Sequence, residues 1–163
     1  MKVLAVDPAT RTGFAVDTES GVSVGTLDLR APRASSVGEA FRFFSRWLRE
    51  LIDQHDIEVL VFERAYGFRK GSEFLAGLAA VCHQQDDKVA VVEANVSALK
   101  KWATGKGNAD KAMMIGAARD YGYDTDDDNE ADAYLLLRYF ERNGEKVPAD
   151  PVCGLGSPNV CRP

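Results

Sequence analysis

"KVLAVDPATRTGFAVDTESGVSVGTLDL", residues 2–29, is the stretch that decides the fold. Its first six residues, Lys2 to Asp7, form a short and nearly all-apolar run that ends in an acid, the pattern of a strand buried on both faces. "PATRTG" (8–13) has turn composition, and "GFAVD" (13–17) and "VSVGTLDL" (22–29) alternate around a turn at Gly21. A central strand followed by two alternating ones predicts an antiparallel meander.

Working outward, residues 36–54 carry Phe41, Phe44, Trp47, Leu48 and Leu51 on one helical stripe. "IEVLVFE" (57–63) is a second buried strand ending in an acid, residues 71–86 read as helix, and "KVAVVEA" (88–94) is a third short apolar strand. Helices are expected near 96–103 and 109–121, and a last one runs from an acidic stretch to Asn143. The expected class is α/β, a meander followed by parallel strands in one mixed sheet with helices on both faces. Residues 1–143 are expected to form one domain, and the Gly/Pro-rich residues 144–163 an extended tail.

A chain of 163 residues with 45% hydrophobic and 28% charged residues can bury a sizeable core. It contains no internal repeat and no apolar stretch of membrane-spanning length, and "MKVLAVDPAT" lacks the apolar segment of a signal peptide. The expected location is the cytoplasm, without a membrane partner. Cys82, Cys153 and Cys161 lack metal-type spacing and read as reduced thiols, Cys82 in the core; a tail disulfide is disfavoured in a reducing compartment. The net charge of −5 argues against a nucleic-acid partner until its distribution is considered. Acids peak at 120–132, whereas "RAYGFRK" (64–70) and "KKWATGKGNADK" (100–111) are basic.

Period two places Asp7 on the face of Val3 and Ala5, and Glu63 on the face of Val59 and Val61. Either acid alone reads equally well as a strand end turning into solvent. Two acids that each extend a buried face, on strands able to neighbour one another, point to a shared cluster at the sheet edge where α/β folds place ligands.

"DTDDDNEAD" (124–132) puts six carboxylates into nine residues. An EF-hand reading fails, because Asn129 stands where the loop needs Gly and Leu135 where it needs Glu. Capping accounts for part of the run: Thr125 with Asp128, or Asp127 with Glu130, fits a capping box, while Asp124 and Asp126 read as solvated loop. Asp132 is different, since Leu135, Leu136 and Tyr139 follow it at helical spacing, so it heads the inward stripe; Asp128 lies one turn earlier. Asp7, Glu63 and Asp132 together would repel one another unless divalent cations neutralise them, and oxygen ligands without His or Cys suit Mg²⁺ or Mn²⁺.

In order and spacing, "VLAVDPATRTGFAV" (3–16), "VFERAYGF" (61–68), "LKKWATGKGNADK" (99–111) and "DNEADAYLLL" (128–137) resemble the RuvC-type Holliday junction resolvases of the ribonuclease H-like superfamily, above all its phage and small bacterial members. The resemblance runs from residue 1 to about 142. It implies a mixed five-stranded sheet, a homodimer, and Mg²⁺-dependent cutting of branched DNA such as a four-way junction. By that resemblance Asp7, Glu63 and Asp132 match the metal-binding acids, Lys100 and Lys111 the basic positions near the scissile phosphate, and Tyr66 an aromatic that stacks on bases. The family's fourth acid commonly lies three residues before the last; here that position is Asn129, so the fourth ligand is either Asp128 or the Asn129 carbonyl.

Two ions roughly 3.5–4 Å apart would clamp the phosphate, activate water and stabilise the departing oxygen, with Lys111 stabilising transition-state charge. The Gly-rich loop could hold a phosphate beside Lys106, although taken alone an ordinary helix-start loop is the stronger reading. Tyr66 and Phe68 among Arg64, Arg69 and Lys70 form the interleaved pattern that holds unpaired bases; Phe68 reads equally as core. Trp47 reads as core, Trp102 as core or dimer interface, and His55 and His83 as surface or structural. Competing readings are a nuclease acting on RNA–DNA hybrid, RNA or other branched DNA, and a metal-free ribonuclease H-like binding domain.

Overall fold

The computed structural model describes residues 1–30, 36–63 and 72–144. The chain runs β1 (Val3–Asp7), β2 (Arg11–Thr18), β3 (Gly21–Asp28), α1 (Val37–His55), β4 (Val59–Glu63), α2 (Ser72–His83), β5 (Ala90–Ala94), α3 (Val96–Thr104), α4 (Lys111–Asp120) and α5 (Asp128–Asn143). One five-stranded sheet has the order β3-β2-β1-β4-β5. The meander β1–β2–β3 is antiparallel, and β4 and β5 add parallel strands on the other side of β1. This is the mixed sheet expected from the sequence.

The first strand of the meander turns more tightly than expected. β2 starts at Arg11 rather than Gly13, because Arg11 and Thr12 already pair with Asp28 and Leu27. Thr12 is fully buried, and its hydroxyl donates to the Ala9 carbonyl at 2.7 Å, closing the turn after Asp7. α2 ends at His83, three residues early, where a turn buries Gln85.

Period two separates two cores. Leu4, Val6, Val16, Leu60 and Phe62 face α1 and α2. α1 buries Ala40, Phe44, Leu48 and Ile52, so the expected stripe is rotated: Phe44 and Leu48 are central, while Phe41, Trp47 and Leu51 flank them half-buried. Ser36 caps this helix by accepting from the Glu39 amide. Cys82 lies in this core, and burial pushes its thiol up, as befits a small apolar residue.

Val3, Ala5, Ala15, Val59 and Val61 face the other way, onto α5. α5 is buried nearly all round, with Ala131, Ala133, Leu135, Leu136 and Leu137 at zero exposure, because α3 and α4 cover its outer side. Trp102 completes that cover, its ring 4.7 Å from Tyr121 and 5.5 Å from Tyr139, so it packs within the chain. Among the described residues no helix is long and apolar enough to cross a membrane. The tail from residue 145, with Cys153 and Cys161, lies outside the described residues.

Candidate active site

β1 and β4 are parallel neighbours with Val6 opposite Phe62, so one further step sets Asp7 beside Glu63. Both extend the faces of Ala5 and Val61, which look onto α5. α5 carries Asp132 above an apolar stripe that does pack inward: Leu135 and Leu136 are fully buried and Tyr139 is 9% exposed. The sheet edge and the helix thus bring the three predicted acids together.

Their charges act on one another. Burial, then Asp132 and Asp128, push Asp7 up to about 7 against the pull of Lys100 and Lys111. Burial, then Asp7 and Asp132, hold Glu63 well above the ordinary carboxylate range, again opposed by Lys100. Burial pushes Asp132 up to about 6, with Asp128 adding and Lys100 and Lys111 opposing. Such shifts arise when like charges share a poorly solvated place.

The donor set fits a divalent cation. Glu63 Oε1 and Asp132 Oδ1 are buried with no hydrogen-bond partner. A buried acceptor left unmatched costs roughly 1–3 kcal/mol, and a hard cation among carboxylate oxygens satisfies it. Among the described residues no three acidic, His or Cys side chains already surround a common point as a finished coordination shell. Asp128 is engaged in an ion pair with Lys111.

Asn129 spends its side-chain amide on Asp127 Oδ1 at 3.1 Å, and its backbone amide donates to the same oxygen at 3.0 Å. Asp128 instead bears electrostatically on both Asp7 and Asp132. Asp127 is the helix cap and also pairs with Arg11 of β2. Against the push of burial, the Asn129 hydrogen bonds and the Arg11 charge hold its carboxyl below the ordinary value. The reciprocal arm of the expected capping box is not made, because the Glu130 carboxylate accepts from the Tyr123 and Thr125 hydroxyls, each at 2.9 Å. Asp124 and Asp126 are more than nine-tenths exposed and share Arg119.

Of the basic residues, Lys100 is half-buried and donates to the Ala109 carbonyl at 3.1 Å, with its charge felt by Asp7, Glu63 and Asp132. Lys111 opens α4 at the rim of the same cluster, and Lys106 is exposed on the preceding loop. That loop is explained by its own geometry: Gly105 ends α3 at φ 80°, Gly107 packs against Ser97, and Asp110 caps α4 by accepting from the Met113 amide. Arg64, Tyr66, Phe68, Arg69 and Lys70 lie outside the described residues. His83 pairs with Glu93 at 2.6 Å and packs edge-on against Phe62, on the opposite side of the sheet from the acids.

Two site-building residues escaped the sequence reading. A Cβ on Gly13 would stand 2.0 Å from the Asn129 carbonyl oxygen, so only glycine lets the start of α5 settle on β2 beside Asp7. The available signal was a glycine inside a strand, which marks a close backbone approach. Arg11, the anchor of Asp127, carried no local signal at all.

No protein-family model matches the sequence. Solved structures share its fold: Thermus thermophilus RuvC superposes with a TM-score of 0.68 over 88% of this chain and 97% of its own, at 18% identity. The yeast mitochondrial Holliday junction resolvase gives 0.54 over 86% of this chain and 77% of its own, at 13% identity. The fowlpox virus resolvase, solved with Holliday junction DNA, gives 0.51 over 87% and 98%, at 16% identity. With its mixed β3-β2-β1-β4-β5 sheet and flanking helices, the chain has the ribonuclease H-like fold of RuvC.

Proposed function

We propose that this chain is a divalent-metal-dependent endonuclease that cuts branched DNA, resolving four-way junctions by paired nicks as a homodimer. The observation that carries the reading is the inward carboxylate cluster of Asp7, Glu63 and Asp132, with two of its oxygens unmatched, at the carboxyl ends of neighbouring parallel strands. The RuvC-like fold and the junction DNA named with the fowlpox virus and Thermus thermophilus structures support the substrate class.

Asp7, Glu63, Asp132 and Asp128 would hold Mg²⁺, or Mn²⁺ in its place. Two bound ions would supply an activated water and neutralise charge on the scissile phosphate. The remaining work falls to the chain. The buried acids orient one another through the rigid β1, β4 and α5. Lys100, anchored on Ala109, offsets their repulsion and leaves a net negative site that a cation completes. Lys111 at the rim draws the phosphate in and stabilises its developing charge. Arg64, Tyr66, Phe68, Arg69 and Lys70 follow Glu63 directly in the chain and would grip unpaired bases near the branch; Lys106 would touch the backbone. Those cations displace counterions from the DNA backbone, so the grip weakens as salt rises.

The test is cleavage of a synthetic four-way junction, a linear duplex and an RNA–DNA hybrid in Mg²⁺, beside Asp7→Asn and Asp132→Asn. Symmetric paired nicks on the junction, lost in both variants, are expected. Equal cutting of linear duplex, preference for the hybrid, or full activity in the Asn variants would overturn the reading.

A further inference from the structure

We propose that the Lys111–Asp128 ion pair is a latch, one that withholds a carboxylate from the acidic cluster until a substrate phosphate takes Lys111. The proposal rests on the metal-nuclease reading above. Lys111 is the first residue of α4 and Asp128 the first of α5, so the pair joins two helix starts, and both charges act on Asp7 and Asp132. The Asp128 side chain is 29% exposed and its charge reaches both Asp7 and Asp132, so it stands at the edge of the cluster without belonging to a finished coordination shell. The Lys111 side chain is 79% exposed and has Asp128 as its partner. Lys100 differs: it is half-buried and tied to the Ala109 carbonyl, a fixed countercharge. Of the two lysines among the described residues that bear on the acids, Lys111 is the one a phosphodiester can reach and remove from its carboxylate partner.

The exchange is chemically simple. The phosphate replaces the Asp128 carboxylate as the anion on the Lys111 ammonium, and the freed carboxylate turns toward Asp7 and Asp132. That carboxylate then adds an oxygen ligand, so the weaker of the cation sites tightens only when DNA is seated. An exposed ion pair contributes little, which keeps the latch easy to open. The expected coupling is correspondingly modest, about two- to fivefold in cation affinity.

Free Mn²⁺ is measured by electron paramagnetic resonance during titration of the full chain, without DNA. Lys111→Gln is expected to tighten the weaker Mn²⁺ site about two- to fivefold. Lys111→Arg, which keeps the pair, is expected to match the wild type, and Lys111→Gln in an Asp128→Asn background to gain nothing. Adding a synthetic four-way junction, with a DNA-only blank subtracted, should tighten that site about two- to fivefold more in the wild type than in Lys111→Gln. An equal gain in the Asp128→Asn background would mean that Lys111 merely repels cations, and would overturn the latch; so would no gain from Lys111→Gln, or no effect of DNA. If the wild type binds Mn²⁺ no better than Asp7→Asn does, the metal-nuclease reading itself fails, which is a distinct result.

Discussion

Replacing Asp7 by Asn should make the metal-free protein more stable. Its carboxyl is raised from 3.8 to about 7, so between those values it is protonated when folded and ionised when unfolded. Unfolding releases a proton across that interval, and stability therefore falls as pH rises from about 4 to about 7 and levels off above. Three units at 1.36 kcal/mol each set an upper bound of about 4 kcal/mol. Asp7 retains some contact with solvent, which screens its charge, so about 2 kcal/mol is the working figure. For a chain of this size that is roughly 4–8 °C in melting temperature. The assay is thermal unfolding in EDTA at pH 8 and again at pH 4, then at pH 8 with added Mn²⁺. The variant should melt higher at pH 8, the gap should close toward pH 4, and Mn²⁺ should stabilise the wild type alone. A variant less stable than the wild type at pH 8 in EDTA, or a gain that persists undiminished at pH 4, would refute the reasoning.

Lys100→Ala should act with the opposite sign, lowering metal-free stability because Asp7, Glu63 and Asp132 lose a common countercharge, and cutting the nicking rate on a four-way junction about 10²-fold. Gly13→Ala should cost about 1–3 kcal/mol in urea unfolding and weaken Mn²⁺ binding, since the new methyl meets the Asn129 carbonyl, a backbone atom that cannot swing aside. Asp127→Ala should cost about 1–2 kcal/mol through loss of the α5 cap and of the Arg11 pair, read by the same unfolding curve. Leu136→Ala, fully buried in α5, should cost about 2–5 kcal/mol while leaving Mn²⁺ affinity per folded molecule unchanged, which separates packing from site chemistry.

Much of this protein was legible in its sequence, because the relevant signals are local. Apolar runs ending in Asp7 and Glu63, read with period two, put both acids on a buried face, and the sheet bears that face out. Asp132 at the head of an apolar helical stripe was legible for the same reason. The rotated stripe of α1 was less so, because small Ala40 and distant Ile52 carry little weight in a pattern dominated by aromatics.

What remained depended on contacts between residues far apart in the chain. Whether Asp128 or Asn129 faces the cluster turns on which of them Asp127 and Lys111 engage, and adjacent residues on a helix differ by about 100° in direction. The need for glycine at position 13 exists only because α5 lands on β2 there. The sequence alone determined which residues could be buried acids and on which strands and helix they sit, since periodicity is written in the chain. The tertiary structure decided which of them meet, and with what countercharge, because Coulomb energy and desolvation depend on distance and burial that only packing sets.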